Sequence, residues 1–406
     1  MRESAAESDP IVAELQGLYG AYSFPEKLLQ KIWLRGDFNR AAAILADGRR
    51  VRVGHPGKWN LLGGPDFKGA RLRFGAEGER EETGDVEVHL RVADWVAHGH
   101  ARDPAYDRVV LHVVLFPPDA GHVTRGVGGR EIPVLALLPL LHRALEEFAA
   151  DEAVETLANR AISRLPDELG VLPASELAAL LQRQAAARWC QKVHFAQRRV
   201  RLLGWEVACH HAALEILGYR YNRAPMLRLA AEWPLEKWAE AKIAPDELYE
   251  HEREGWSLQG VRPANHPRTR LRQYAAWVRA KPDWPSRALG LVGELPVVDR
   301  AENSRTIRRC HGFTAWRERL AAELLADTLG GTRLDNLICD GLLPLFAART
   351  GREAQGMWYH WFAGDLPPVL AGGLRQLGFF DGRAQPACHG AAQGLLGWLL
   401  EREPGR

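Results

Sequence analysis

Between Gly54 and Phe116 the sequence gathers side chains that bind metal ions and move protons. Asp66 closes the string GGPD, and about twenty residues later Asp85, Glu87 and His89 alternate with Val86, Val88 and Leu90. In an extended segment successive side chains point to opposite faces, so the three polar groups share one face and the apolar groups the other. Gly63, Gly64 and Pro65 precede Asp66 and make a turn able to aim its carboxylate at that row. Two converging carboxylates suit a hard divalent cation such as Mg²⁺ or Mn²⁺, which takes oxygen ligands and keeps positions open for water and phosphate oxygens. The expected metal ligands are Asp66, Glu87 and Asp85, and the expected catalytic group is Asp66, Glu87 and His89. Such an ion polarises a phosphate and generates a hydroxide nucleophile. His89, with an ordinary pKa of about 6.5, is the candidate general base or water-positioning group.

Further polar groups follow closely: Asp94, His98, His100, Asp103 and His112. His98, His100, Asp103 and His112 are expected to support the site. His112 lies inside the apolar run VVLHVVLF, where burying an imidazole without a partner is costly. Two other readings stand beside this one. The HxH pair of His98 and His100 suits zinc once a third ligand joins it. Alternatively, an amphipathic strand simply turns its polar side to water and Asp66 occupies an ordinary turn.

The elements that must position these groups show in the hydrophobic periodicity. Ile11–Tyr22 and Pro25–Arg35 carry helical spacings, with Ser23 placed to cap and Pro25 at an early helical position. From Ala41 to Phe116 the period shortens toward two. The runs AAAIL, RVRVG, GARLRF, DVEVHLRV and RVVLHVVLF, separated by Gly, Pro and Asp, predict a curved sheet. The charged segment 75–85 joins GARLRF to DVEVHL as a hairpin or as neighbouring strands. A turn-rich stretch runs from Pro117 to Arg130, and after Pro133 the pattern becomes a succession of helices, including Ala174–Arg199 and Val207–Leu217. The expected organisation is an α/β (α+β) domain over 1–150 with a curved mixed sheet, then an α-helical domain over 151–406.

Composition narrows the partners. The 406 residues carry 53 Lys and Arg against 51 Asp and Glu, so a net charge of +2 supplies no bulk attraction to nucleic acid or anionic lipid. Any basic surface must be local. Five widely separated cysteines without a CxxC pair predict reduced thiols rather than a disulfide framework or a zinc ribbon. The N-terminus lacks an apolar leader and no stretch approaches the ~18 apolar residues of a membrane span, so a cytoplasmic protein without a membrane partner is expected.

The strings NLLGGPDFKGARLRF and GDVEVHLRVADWVAHGHARDPAYDRVVLHVV resemble the signature of an uncharacterised bacterial family known only as a domain of unknown function. LGYRYNRAPMLRLA and RPANHPRTRLRQYA resemble its helical half, so the resemblance covers most of the chain. It implies no activity. Separately, PD followed by a carboxylate and a base two positions apart is similar to the PD-(D/E)XK nuclease motif. That resemblance implies a restriction-endonuclease-like core, with Asp66 and Glu87 as metal ligands and Glu26, on the early helix, as an accessory acid. His89 stands where that family usually has Lys, and a histidine is not permanently cationic.

In the helical half, Arg262, Arg268, Arg270 and Arg272, with His266 among them, are candidate phosphate contacts if they face the α/β site. A solvated or carboxylate-paired helix end is the favoured reading of them. Tyr219, Tyr221 and Trp256 offer either stacking surfaces for bases or core packing. Asn222 and Asn265 read as polar clamps, and Arg305, Arg308 and Arg309 as surface. The expected function is metal-dependent phosphodiester hydrolysis on nucleic acid. The alternatives are a non-catalytic binding or scaffold protein and a zinc hydrolase.

Overall fold

The structure, a computed structural model, describes residues 12–401 except 18–19, 76–80, 144, 146, 150, 153–167, 220–221, 241–242, 259–260, 299–302 and 381–385; for 12–24 it describes the backbone alone. Tyr221 and part of the 75–85 connection therefore lie outside the described residues. The chain divides into two compact units, 1–149 and 150–406.

The first unit opens with a hairpin, β1 (Val12–Gly17) against β2 (Gly20–Pro25), where the spacing predicted a helix. The apolar positions of 11–22 fit both periods, and pairing with a neighbouring segment decides between them. Helix α1 (Glu26–Arg35) follows, with Pro25 as N-cap and no side-chain cap, so Ser23 lies in β2 rather than capping. Glu26 in the first turn and Arg35 in the last complement the helix dipole. Leu28, Leu29, Ile32 and Trp33 make the buried stripe, and this face packs on β6.

The main sheet contains β3 (Val51–His55), β4 (Lys58–Trp59), β5 (Phe67–Phe74), β6 (Glu82–His89), β7 (Val109–Val114) and β10 (Val134–Ala136). Its order is β10-β7-β6-β5-β3, with β4 also paired to β5. β3–β5 and β5–β6 are antiparallel, while β6–β7 and β7–β10 are parallel, so the sheet is mixed and curled as expected. The AAAIL run is not a strand. Arg40–Ala42 forms a 3-10 turn and Ile44 makes one isolated bridge to Arg50. Likewise Val134–Ala136 adds a strand where the sequence suggested that helices begin. A small hairpin, β8 (Thr124–Arg125) with β9 (Glu131–Ile132), lies in the turn-rich stretch.

Strand β6 is central, and its apolar side joins the larger core: Val86 and Val88 cluster with Leu28, Ile32, Trp33, Leu111 and Val113. On its other side His89 packs against Trp95, and Trp95 belongs to a second cluster with Tyr106, Val109 and Ile132. Parallel pairing of β6 and β7 requires a crossover, supplied by residues 90–108 with the short helix α2 (Asp94–Ala97) and two 3-10 turns, His100–Arg102 and Pro104–Tyr106. Gly84 lets β6 approach β7 closely: a Cβ there would lie 2.8 Å from Arg108 O and collide with Val110. Gly84→Ala is expected to cost about 1–3 kcal/mol by overpacking, read as a lower urea midpoint; an unchanged midpoint would contradict the close approach.

The second unit is mostly helical. A 30-residue helix, Ala174–Leu203, packs against Leu343–Thr350 and His389–Glu401 around a core rich in Trp277, Trp284, Trp358 and Trp361. Arg308 is a structural clamp rather than a surface group, donating to the carbonyls of His360, Trp361, Pro386 and Ala387. Asn222 clamps Ser257 through both its N–H and C=O, as the sequence suggested. Trp256 stacks on Tyr249 in the interior, and Arg333 covers the Tyr219 ring. All five cysteines are free thiols, and no helix of the described residues is long and apolar enough to cross a membrane.

Candidate functional site

Asp66 ends the turn that leads into β5, and the antiparallel pairing of β5 with β6 sets it beside Glu87 and Val88. Its backbone N–H donates to Glu87 Oε2 at 2.9 Å, and its Oδ2 accepts from the Val88 N–H at 3.1 Å. Gln30, one turn along α1 from Glu26, donates to Asp66 Oδ1 at 2.7 Å. The first residue of α1, Glu26, adds a third carboxylate, whose buried Oε1 has no hydrogen-bond partner.

Burial, followed by the negative charges of Asp66 and Glu87, pushes the Glu26 carboxyl up from 4.5 to about 8. Burial first and Glu87 second raise Asp66, while Val88, Gln30 and His100, rather than an arginine or lysine, oppose that rise. Glu87 is raised too, by burial. Desolvation and like charge both penalise the ionised forms of this trio.

Asp85 does not join the trio. A bulge in β5 between Phe67 and Ala70 frees the Gly69 N–H from the ladder, and Asp85 Oδ1 accepts it at 3.0 Å. No hydrogen bond or ion pair ties Asp85 to Asp66 or Glu87 among the described residues. Accepting the donor that the bulge leaves unpaired gives this carboxylate a structural task.

The histidines meet on the other side of Glu87. Thr124 Oγ1 stands 2.7 Å from His112 Nδ1, His112 Nε2 stands 2.9 Å from His89 Nδ1, and His89 Nε2 stands 3.0 Å from His98 Nδ1. Three imidazoles thus run in line from buried Thr124 to exposed His98. His100 stacks parallel to His89 on one side and on Tyr106 on the other, at centroid distances of 5.3 and 3.8 Å. Gly99, at φ +76°, supplies the left-handed turn that brings His98 and His100 back to the same ring. Glu87 Oε1 lies 3.5 Å from His89 Nε2 and 3.3 Å from His100 Nε2. Burial, then neighbouring imidazoles, lowers His89 to about 2; burial lowers His112 to about 3, and it also lowers His98 and His100. The imidazoles are therefore neutral near pH 7, as ligands must be.

Asp103 stays exposed and caps the second 3-10 turn by accepting the Ala105 N–H at 2.9 Å. The structure thus brings together Glu26, Asp66, Glu87, His89, His98, His100 and His112, and leaves Asp85 and Asp103 in local roles. Gln30, Trp95, Tyr106 and Thr124 were missed. Only Gln30 left a signal, its four-residue spacing from Glu26 on one helix face.

In the helical unit three of the four arginines have partners of their own. Arg268 pairs with Glu250 at 2.8 Å and Arg272 with Asp246 at 2.9 Å, while buried Arg270 bonds Asn265 and Gln273. Arg262 is exposed.

No curated protein and no solved structure matches this chain. The model of one family, described as Protein of unknown function (DUF2851), matches residues 26–248, from Glu26 through every carboxylate and imidazole of the site. As that match spans more than half of the 406 residues, the chain belongs to this family.

Proposed function

We propose that the protein is a metal-dependent hydrolase of phosphodiester bonds in nucleic acid. The observation that carries this reading is the trio of buried Glu87 with half-buried Glu26 and Asp66, whose ionisation desolvation and mutual repulsion oppose. The element order supports it as well. A helix with the accessory acid precedes the strand that follows Asp66, which pairs antiparallel with the Glu87–His89 strand, itself parallel to the next. That order accords with the resemblance to PD-(D/E)XK nucleases.

A hard divalent cation, Mg²⁺ or Mn²⁺, fits the oxygen donors of Asp66 and Glu87, and the unpartnered Glu26 Oε1 adds another. When bound, such an ion supplies Lewis acidity and a water of lowered pKa. The chain's own groups hold the geometry. Gln30 and the Val88 N–H fix the Asp66 carboxylate, and the Asp66 N–H fixes that of Glu87. Hydrogen-bond contacts to His98 and His112 engage both nitrogens of His89, so the proton-accepting task belongs to the imidazole row, with exposed His98 its outlet to water. The site, rather than the paired arginines, supports the substrate class.

A non-catalytic binding or scaffold role is the second reading, favoured by the hydrogen bonds that already satisfy Asp66. Incubating the purified chain with single- and double-stranded DNA and RNA, with Mg²⁺ or Mn²⁺ and with a chelator, separates the two. Hydrolysis that needs the metal and falls at least roughly 10²-fold in Asp66→Ala is expected, since a metal contributes several kcal/mol to such transition states. Equal cleavage by wild type and variant would remove the proposal.

A further inference from the structure

The hard-cation reading leaves part of the site unexplained. His100 is 92 % buried, being 8 % exposed, yet its Nε2 makes no hydrogen bond and points toward Glu87 Oε1 at 3.3 Å. His89 Nε2 and His98 Nδ1 face each other at 3.0 Å, and His89 Nε2 is 3.5 Å from the same Glu87 oxygen. A cation held by nitrogen and oxygen at about 2.0–2.1 Å sets neighbouring donors roughly 2.9–3.4 Å apart. Three donor pairs, His89–His98, Glu87–His100 and Glu87–His89, stand near those separations at 3.0, 3.3 and 3.5 Å, and one ligand atom from each of the three histidines lies within 4.8 Å of the others.

We propose that His89, His98 and His100, with Glu87 Oε1, bind one borderline transition-metal cation of the Zn²⁺, Co²⁺ and Ni²⁺ class. Imidazole nitrogens prefer such ions to Mg²⁺, which demands oxygen ligands. The surrounding groups meet the remaining requirement. With His89 Nε2 given to the metal, its proton sits on Nδ1 and is donated to His112 Nε2 at 2.9 Å. His112 then carries its own proton on Nδ1 and donates it to Thr124 Oγ1 at 2.7 Å. Every buried imidazole atom of this row gains a partner, which is how outer hydrogen bonds orient metal-bound histidines. Trp95, packed against His89, His100 and His112, and Tyr106 hold the rings in place.

This proposal assigns a second, nitrogen-rich position that shares only Glu87 with the carboxylate set, and in it the His89–His98 pair holds the ion in place of accepting protons; it rests on the hydrolase reading only for what the ion would do there, not for its binding. The test is titration of the metal-free full chain with Co²⁺, followed by visible absorption. Wild type is expected to saturate at one Co²⁺ per chain with ligand-field bands. His98→Ala, at an exposed position, and His100→Ala are expected to weaken binding at least tenfold and change those bands. His251→Ala, at an exposed histidine beside Glu232 in the helical unit, is expected to stay within about threefold of wild type. Thermal melts confirm that each variant folds. No bands in wild type at millimolar Co²⁺, or bands unaltered in both histidine variants, would overturn the site. Histidine-dependent Co²⁺ binding without hydrolysis under any metal would instead defeat the hydrolase reading and leave this site standing.

Discussion

Glu87→Gln is expected to lower metal-dependent phosphodiester hydrolysis by roughly 10³-fold while making the metal-free protein more stable, because the two effects have opposite electrostatic origins. On the proposed hydrolase reading the Glu87 carboxylate would help hold a divalent cation, and losing that charge would remove several kcal/mol of the Lewis-acid stabilisation such an ion would supply. Without the cation the same carboxylate is buried beside Asp66 and Glu26, where its ionised form is disfavoured. Glutamine keeps the shape, still accepts the Asp66 N–H through its amide oxygen, and carries no charge. A gain of about 1–2 kcal/mol near pH 8, a few degrees in melting midpoint, follows from relieving an uncompensated buried charge. Measuring kcat/KM and thermal midpoints of both proteins checks both halves. Unimpaired hydrolysis, or a large loss of stability, would mean that Glu87 is a structural acceptor and not a metal ligand.

Raising the pH of the metal-free protein from about 6.5 to about 8 is expected to destabilise the first unit by roughly 2–3 kcal/mol. The carboxyls of Glu26, Asp66 and Glu87 all titrate above their ordinary 3.8–4.5, Glu26 near 8. A carboxyl with a raised folded pKa contributes stability that is complete below its unfolded value and disappears as pH climbs through the folded one. The imidazoles act in reverse. His89 and His112, lowered from 6.5 to about 2 and about 3, contribute fully above 6.5 and lose that contribution in acid. Between about 4.5 and 6.5 the two families oppose each other; above 6.5 only the carboxyls still change. Each could cost up to about 1.4 kcal/mol per pH unit, a ceiling reduced here by partial solvent contact and by coupling within the trio. Saturating divalent cation flattens the slope by binding the ionised form. Amide hydrogen exchange across β5 and β6, corrected for intrinsic rates and followed with and without metal, reads this directly. Protection independent of pH in the metal-free protein would show that the carboxyls ionise without penalty and are not gathered as described.

The local order of residues was enough to place α1, the turn carrying Asp66, the strands carrying Glu87, His89 and His112, and the helical character of the second half. Periodicity is a short-range property, and burying an apolar face needs the same spacing wherever the element finally packs. Alternation along β6 likewise put Glu87 and His89 on one side before any fold was known. Pairing partners are not local, and there the sequence alone was insufficient. Residues 11–22 fit a helix until β2 offered hydrogen bonds, and AAAIL had strand composition but found only a single bridge. Only the tertiary structure decided which polar groups meet. The β5 bulge took Asp85 away from the other carboxylates, and the crossover after β6 folded His98 and His100 back over His89. Register and chain reversal depend on contacts between separate segments, whose free energy belongs to the assembled sheet and to no single segment of it.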